Sequence, residues 1–194
     1  SDTHTLVIID GYKDSNYVAI MKELCPELET TEAGKPLYTK RLPFLRNIIT
    51  IDSKQKGCLT WEEALALAER VPCAEVNRRA MSVGKHDVCN MQYTSGTTGF
   101  PKGVMLTHYN VVNNGKCIGD CMELSTADRM LVQVPMFHCF GMVLAMTAAM
   151  THGATLVPLP YFSPKQSLAA INQEKITCCH GVPTMFIAML GHED

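Results

Sequence analysis

Short β-branched runs alternate along the chain with segments whose hydrophobic residues recur at helical spacing. Thr5–Ile9 is the first predicted strand, and Tyr17–Leu24 is a predicted amphipathic helix that Pro26 ends. Five further runs predict strands: Asn47–Ile51, Val88–Tyr93, Arg129–Val134, Ala154–Val157 and Ile176–Cys179. Five further segments predict helices: Thr60–Arg70, Thr107–Cys121, Phe140–Met150, Ser163–Glu174 and Pro183–Leu190.

This alternation predicts an α/β fold of parallel sheets with crossover helices on both faces. Thr60 with Glu63, and Ser163 with Gln166, have the spacing of capping boxes. The polar segment 125–128 is the predicted boundary between two lobes, residues 1–124 and residues 125–194.

Composition narrows the class of protein. The 194 residues are 46% hydrophobic and 19% charged, which is typical of a globular chain. A net charge of −2 gives no electrostatic basis for binding nucleic acid or an anionic membrane. The apolar run Phe140–Met150 is shorter than the ~20 residues of a membrane span. Nine cysteines without a Cys-x-x-Cys pair predict reduced, mostly buried thiols in a cytoplasmic protein, with no metal site.

The stretch 92–104 reads Q-Y-T-S-G-T-T-G-F-P-K-G-V and concentrates groups that bind phosphate. Glycines allow backbone N–H groups to converge on an anion, hydroxyls add donors, and lysine adds a compact positive charge. We therefore predict a polyphosphate-binding loop. Its candidate ligands are Thr94, Ser95, Gly96, Thr97, Thr98, Gly99 and Lys102.

The loop differs from the common nucleotide motifs. Pro101 precedes Lys102 and Gly103 follows it, so a Walker A loop is excluded, and the Gly-x-Gly-x-x-Gly fingerprint is absent. The stretch Y-T-S-G-T-T-G-F-P-K-G-V instead resembles the signature of the adenylate-forming superfamily. P-M-F-H-C-F-G-M at 135–142 is similar to the next motif of its CoA ligases, and G-V-P-T at 181–184 resembles a later segment beside the acyl pocket.

The resemblance implies part of the N-terminal domain of an adenylate-forming enzyme. Such enzymes convert a carboxylate and ATP into an acyl-adenylate and pyrophosphate, and then form a thioester with CoA. The implied cofactors and partners are ATP, Mg²⁺, CoA and a small carboxylic acid. The loop hydroxyls and Lys102 would hold the departing pyrophosphate, whose negative charge grows in the transition state.

His138 is the second candidate for a catalytic role, and the resemblance implies an aromatic gate rather than a general base. The implied substrate pocket includes Phe137, His138, Val182 and Pro183. Amino-acid-activating relatives usually carry an aspartate after the aromatic residue, where this chain has Cys139, so an amino-acid substrate is disfavoured. Met142 and Met146 would suit a fatty or aryl tail.

Several motifs of the superfamily are missing from the 194 residues, including the Tyr-Gly-x-Thr-Glu segment, the ribose-binding aspartate and the C-terminal catalytic lysine. We therefore expect an internal fragment that is inactive alone and that self-associates through exposed sheet edges. Two alternatives remain open. The first is a non-catalytic nucleotide-binding or interaction module, and the second is an aryl-CoA ligase or another adenylation enzyme of the same superfamily, in place of the acyl-CoA synthetase fragment that the resemblance favours.

Overall fold

A computed structural model describes residues 2–96 and 99–193 of the chain. The chain divides into two compact units, residues 1–80 and residues 81–194. The predicted lobes, 1–124 and 125–194, refer to parts of a larger domain, and that division stays a prediction.

The strands of the first unit are β1 Thr5–Ile8, β2 Gly11–Tyr12, β3 Ser15–Asn16, β4 Asn47–Thr50 and β5 Leu59–Thr60. Three of them form a parallel sheet in the order β1-β4-β5, with Leu6 opposite Ile48. A small antiparallel hairpin, β2–β3, follows the first strand. Seven hydrophobic residues form the buried core of this unit: Met21, Cys25, Leu28, Leu37, Leu45, Ile48 and Cys58.

Two α-helices, two 3₁₀-helices and the first eight residues of a third α-helix complete the first unit. The predicted capping box is confirmed, because the Glu63 N–H donates to Thr60 Oγ1 at 3.2 Å and the Thr60 N–H donates to Glu63 Oε2 at 2.9 Å. The helices are α1 Tyr17–Leu24, the 3₁₀-helix Pro26–Glu29, α2 Trp61–Ala66, the 3₁₀-helix Leu67–Arg70 and α3 Cys73–Ser82.

The strands of the second unit are β6 Val88–Thr94, β7 Lys102–Thr107, β8 Arg129–Val132, β9 Thr155–Pro158 and β10 Cys178–Cys179. Strands β6 and β7 form an antiparallel pair, and the other three form a parallel sheet in the order β10-β8-β9. The helices of this unit are α4 His108–Cys121, the π-helix Phe140–Thr147, α5 Ala148–His152, α6 Pro164–Gln173 and α7 Pro183–Leu190.

The central strand of the parallel sheet is β8, whose Met130 and Leu131 are fully buried. The connection from β8 to β9 passes through the π-helix and α5, and the return from β9 to β10 passes through α6. Crossover connections of this kind are right-handed. The connections from β8 to β9 and from β9 to β10 run in opposite directions across the sheet, so their helices lie on opposite faces. The predicted α/β fold with parallel sheets and crossover helices is confirmed.

Asp128 ties the start of β8 to the start of β10. Its carboxylate accepts hydrogen bonds from the Thr177 hydroxyl at 2.8 Å and from the Ser125 N–H and hydroxyl at 2.8 and 2.9 Å. These donors, the Thr177 hydroxyl first, hold the pKa of Asp128 below its ordinary value. The polar segment 125–128 therefore anchors the sheet.

Three sequence predictions need correction. Strand β7 was not predicted, and it pairs with β6 to make the region of the phosphate loop an antiparallel hairpin. The seven residues that connect β6 to β7 are far more than the two-residue turns that Asn-Gly marks, so the hairpin has no such signal. Ser163 makes no side-chain cap hydrogen bond at the start of α6, so the second predicted capping box is wrong. The cysteines are not mostly buried. All nine lie in the described ranges and are unpaired, but four are exposed: Cys73, Cys89, Cys117 and Cys121.

Among residues 2–96 and 99–193, no helix combines the length and the hydrophobicity that a membrane span requires.

Candidate functional site

The glycine-rich loop joins the ends of β6 and β7. Thr94 closes one side and Lys102 the other, and the two residues lie directly opposite each other in the antiparallel ladder. Because opposite residues project from the same face, the Thr94 hydroxyl and the Lys102 ammonium share one face at the base of the loop. Lys102 is exposed and makes no ion pair with the part of the chain that the structure describes.

Gly96 and Gly99 give the loop its backbone conformation, with φ angles of 62° and 83°. A Cβ on Gly96 would lie 2.1 Å from the carbonyl oxygen of Phe100, whereas a Cβ on Gly99 would meet no atom within 4 Å. The same Cβ on Gly96 would lie 3.6 Å from Lys102 Cγ, so the lysine stem runs beside the loop. The predicted ligands Thr97 and Thr98 lie outside the described residues.

His138 lies in a tight turn that follows β8. Its N–H donates to the Pro135 carbonyl at 3.2 Å, and its own carbonyl accepts from the Gly141 N–H at 3.0 Å. A Cβ on Gly141 would lie 2.4 Å from the Pro135 oxygen, so only glycine fits where the turn enters the π-helix. Phe137 and His138 are exposed, Phe137 by 85%.

The turn selects one tautomer of neutral His138. The Phe140 N–H can only donate, and it lies 3.1 Å from His138 Nδ1, so Nδ1 is an acceptor there. The proton of the neutral ring is therefore on Nε2, which has no hydrogen-bond partner within the described residues. A neutral imidazole in this arrangement presents an N–H donor and no free basic nitrogen.

The segment that carries His138 contacts the segment before α7. His180 Nε2 lies 2.9 Å from the Leu144 carbonyl, and the His180 ring lies 5.6 Å from the Phe140 ring. Buried Gln133 donates from Nε2 to the His180 carbonyl at 3.0 Å. The structure thus brings together the predicted motifs at 135–142 and 181–184, and Val182 and Pro183 form the exposed start of α7.

The same π-helix approaches strand β6, which leads into the loop. The Asn90 side-chain amide lies 3.4 Å from Met142 Sδ, and Gln92 Nε2 donates to Asn90 Oδ1 at 2.9 Å. Asn90 precedes Thr94 by four residues, about 13 Å along an extended strand. The loop strand and the His138 segment are therefore neighbours in the second unit.

A cavity of about 210 Å³ lies between α4 and the start of the π-helix. None of the residues that line it carries a charge, and none was among the predicted pocket residues. The lining residues are Leu106, Asn110, Val111, Asn114, Cys139, Val143 and Leu144. Cys139 is the chain neighbour of His138, so the cavity starts beside the predicted gate. The lining residues on α4 are Asn110, Val111 and Asn114, which lie on one face of the helix. Their helical spacing is the signal in the sequence from which this face could have been identified.

Among the described residues, no three histidine, cysteine, aspartate or glutamate side chains are grouped as a metal ion would require.

The second unit thus holds a hairpin that closes a glycine-rich loop, an aromatic turn and an uncharged cavity. The chain belongs to the AMP-binding enzyme family, and its match to this family covers residues 6–194. The resemblance to adenylate-forming enzymes is thereby confirmed.

Individual relatives agree with this family. The chain is 48% identical over 195 residues to the putative acyl-CoA synthetase YngI of Bacillus subtilis, covering 100% of this chain and 35% of that protein. It is 36% identical over 197 residues to the human mitochondrial medium-chain acyl-CoA ligase ACSF2, covering 97% of this chain and 32% of that protein. The chain therefore spans about a third of the length of these curated relatives.

The fold is also that of a solved enzyme. The crystal structure of the anthranilate CoA ligase AuaEII in complex with anthranoyl-AMP superposes with a TM-score of 0.72 at 20% identity, covering 100% of this chain and 33% of that one.

Proposed function

We propose that this chain is the phosphate-binding part of an ATP-dependent acyl-CoA synthetase. A carboxylate oxygen attacks the α-phosphorus of ATP, and the bond to the β-phosphate oxygen breaks to give an acyl-adenylate and pyrophosphate. The CoA thiol then loses its proton and attacks the acyl carbon, and AMP leaves as the thioester forms. Membership of the AMP-binding family and the names of the relatives support this reaction.

One observation carries the role of the loop: Thr94 and Lys102 share a face at the base of a loop whose two described glycines have left-handed φ angles. Lys102 is the only charged residue between Tyr93 and Val104. It would attract the pyrophosphate, whose negative charge increases as the α–β bond breaks. Gly96 and Gly99 would let the loop backbone approach the phosphates, with Ser95, Thr97 and Thr98 as additional donors. When bound, Mg²⁺ would neutralise further phosphate charge.

We assign His138 the role of a gate and not of a base. In its neutral form the ring presents an N–H at Nε2, because Nδ1 accepts from the Phe140 amide. Its exposed position allows the ring to turn between the carboxylate route and the thiol route. Phe137, Val182 and Pro183 remain proposed as its neighbours in the substrate pocket.

We propose that the substrate tail is apolar and enters the cavity beside Cys139. A buried carboxylate would be needed to pair with the ammonium of an amino acid, and the cavity lining has none. ACSF2 is named as a medium-chain ligase and AuaEII as an anthranilate ligase, so both fatty and aryl acids belong in the test panel. A purely non-catalytic nucleotide-binding module is the less favoured alternative.

The test is ATP–pyrophosphate exchange by the full-length protein that contains this chain, with a panel of fatty and aryl acids. Lys102→Ala should lower kcat/KM for exchange on the order of 10²-fold, as does the loss of one donor to a developing anion. Lys35→Ala, an exposed lysine of the first unit, is the matched control and should be unchanged. An unaltered rate in Lys102→Ala would refute the role of the loop.

We further propose that the 194 residues alone do not form acyl-adenylate, because they span about a third of the relatives' length. Carboxylate-dependent exchange by the purified chain would contradict this proposal. The compartment and the self-association of the chain remain predictions.

A further inference from the structure

Along the chain, the residues that line the cavity stop shortly before a close contact between its two helical walls, and neither residue of that contact lines the cavity. On α4 its last lining residue is Asn114, and on the π-helix its last lining residue is Leu144. Immediately beyond, buried Gly115 faces Thr147. A Cβ on Gly115 would lie 2.7 Å from Thr147 Cγ2 and 2.9 Å from Thr147 Cβ, so the gap does not hold one more methyl group.

The orientation of Thr147 is held by a hydrogen bond within the π-helix. Its hydroxyl donates to the Met142 carbonyl at 2.8 Å, five residues earlier, which is the spacing of a π-helix. With the hydroxyl held in this way, the methyl group is the Thr147 atom nearest to Gly115. The side chain therefore has two separable parts, a hydroxyl that binds the π-helix and a methyl that fills the gap.

A second close contact holds the helices together one turn further along. A Cβ on Gly119 would lie 2.2 Å from His152 Nδ1, and His152 Nε2 lies 3.1 Å from Asp120 Oδ1. The convergence of α4 with the π-helix and α5 is thus fixed on the far side of the Gly115–Thr147 contact.

We propose that the Thr147 methyl group, seated against Gly115, is the closed end of the acyl pocket and sets the length of the tail that the enzyme accepts. This inference rests on the proposed acyl-CoA synthetase function. An apolar cavity of 150 Å³ holds benzene, so the 210 Å³ found here corresponds to a tail of about eight carbon atoms.

The test measures kcat/KM for pyrophosphate exchange by the full-length protein with straight-chain saturated acids from butyrate to palmitate. The wild type should have its optimum near about eight carbons and decline beyond it. Thr147→Ser removes the methyl and keeps the hydroxyl. Because one methylene in an apolar pocket changes kcat/KM at least about tenfold, the ratio of the next longer acid to the optimum acid should rise by about tenfold.

Thr147→Val is the matched control, because it keeps the methyl and removes the hydroxyl; its length preference should equal that of the wild type. The inference is overturned if Thr147→Ser retains exchange with an unchanged length profile, a result that leaves the proposed function intact. It is also overturned if Thr147→Val shifts the profile as far as Thr147→Ser does. Absence of exchange with every acid in the wild type would overturn the proposed function and this inference together.

Discussion

Gly96 and Gly99 allow a sharp test of the loop, since both have left-handed φ angles but only one lacks room for a side chain. In Gly99→Ala the new methyl meets no atom within 4 Å, so the cost is that of a left-handed alanine, about 1–2 kcal/mol. In Gly96→Ala the methyl would also lie 2.1 Å from the Phe100 oxygen. Such overpacking against backbone adds about 1–3 kcal/mol.

These costs convert into affinity for ATP. If the alanine variant leaves the binding conformation, the apparent dissociation constant rises as the competent fraction falls. Gly99→Ala should therefore weaken ATP binding about 5–30-fold, at about 1.4 kcal/mol for each factor of ten. Gly96→Ala should weaken it roughly 30-fold to several thousand-fold, because its total cost is about 2–5 kcal/mol.

The assay is the dependence of pyrophosphate exchange on ATP concentration in the full-length protein, with the KM for the acid measured in parallel. Gly34→Ala is the control, because Gly34 has a φ of 81° in the first unit and only a 3.6 Å contact with Leu59. It should change stability without changing the KM for ATP. If Gly96→Ala binds ATP as well as Gly99→Ala does, the described loop conformation is not the one that binds phosphate.

Two further predictions concern the second unit. Because the pKa of Asp128 is lowered in the fold, its contribution to stability is present above the unfolded value of about 3.9 and is lost as pH falls towards the folded value. The difference in urea unfolding free energy between wild type and Asp128→Asn should therefore shrink below about pH 4, and a constant difference down to about pH 2 would contradict this. Met130→Ala, at a fully buried site, should cost about 2–5 kcal/mol, whereas Met136→Ala, at a site 47% exposed, should stay within about 0.5 kcal/mol. Equal effects on the urea midpoint would show that the burial is misassigned.

Most strands of the two parallel sheets, and most helices, could be predicted because their signals are local. Buried β-branched runs such as Asn47–Thr50 have few alternatives to a strand in a parallel sheet. Helix α3 was missed although Cys73, Val76 and Ala80 recur at helical spacing, and none of its residues is buried in the structure. It is stabilised instead by Glu75, which accepts from Arg78 and Arg79 one turn later.

Strand β7 was missed for a different reason. The glycine-rich loop is recognisable from its own residues, but its shape depends on the pairing of Thr94 with Lys102 across seven intervening positions. Pairing of this kind is set by register along the whole hairpin and not by a turn dipeptide. The sequence therefore identifies the candidate phosphate ligands but does not predict the hairpin that holds them.

The cavity could not be predicted, because the sequence does not show that Phe140–Thr147 forms a π-helix and not an α-helix. Phe140–Met150 reads as an ordinary buried helix, and Met142 and Met146 were the expected tail contacts. The hydrogen bond from the Thr147 hydroxyl to the Met142 carbonyl supports the π-helix, in which residues four and five positions apart share a face. The cavity accordingly meets Cys139, Val143 and Leu144, which follow that spacing. Where the π-helix faces α4, Gly115 has no side chain opposite Thr147, and a Cβ on Gly115 would lie 2.7 Å from Thr147 Cγ2, so the wider turn of the π-helix fits against α4 at this glycine.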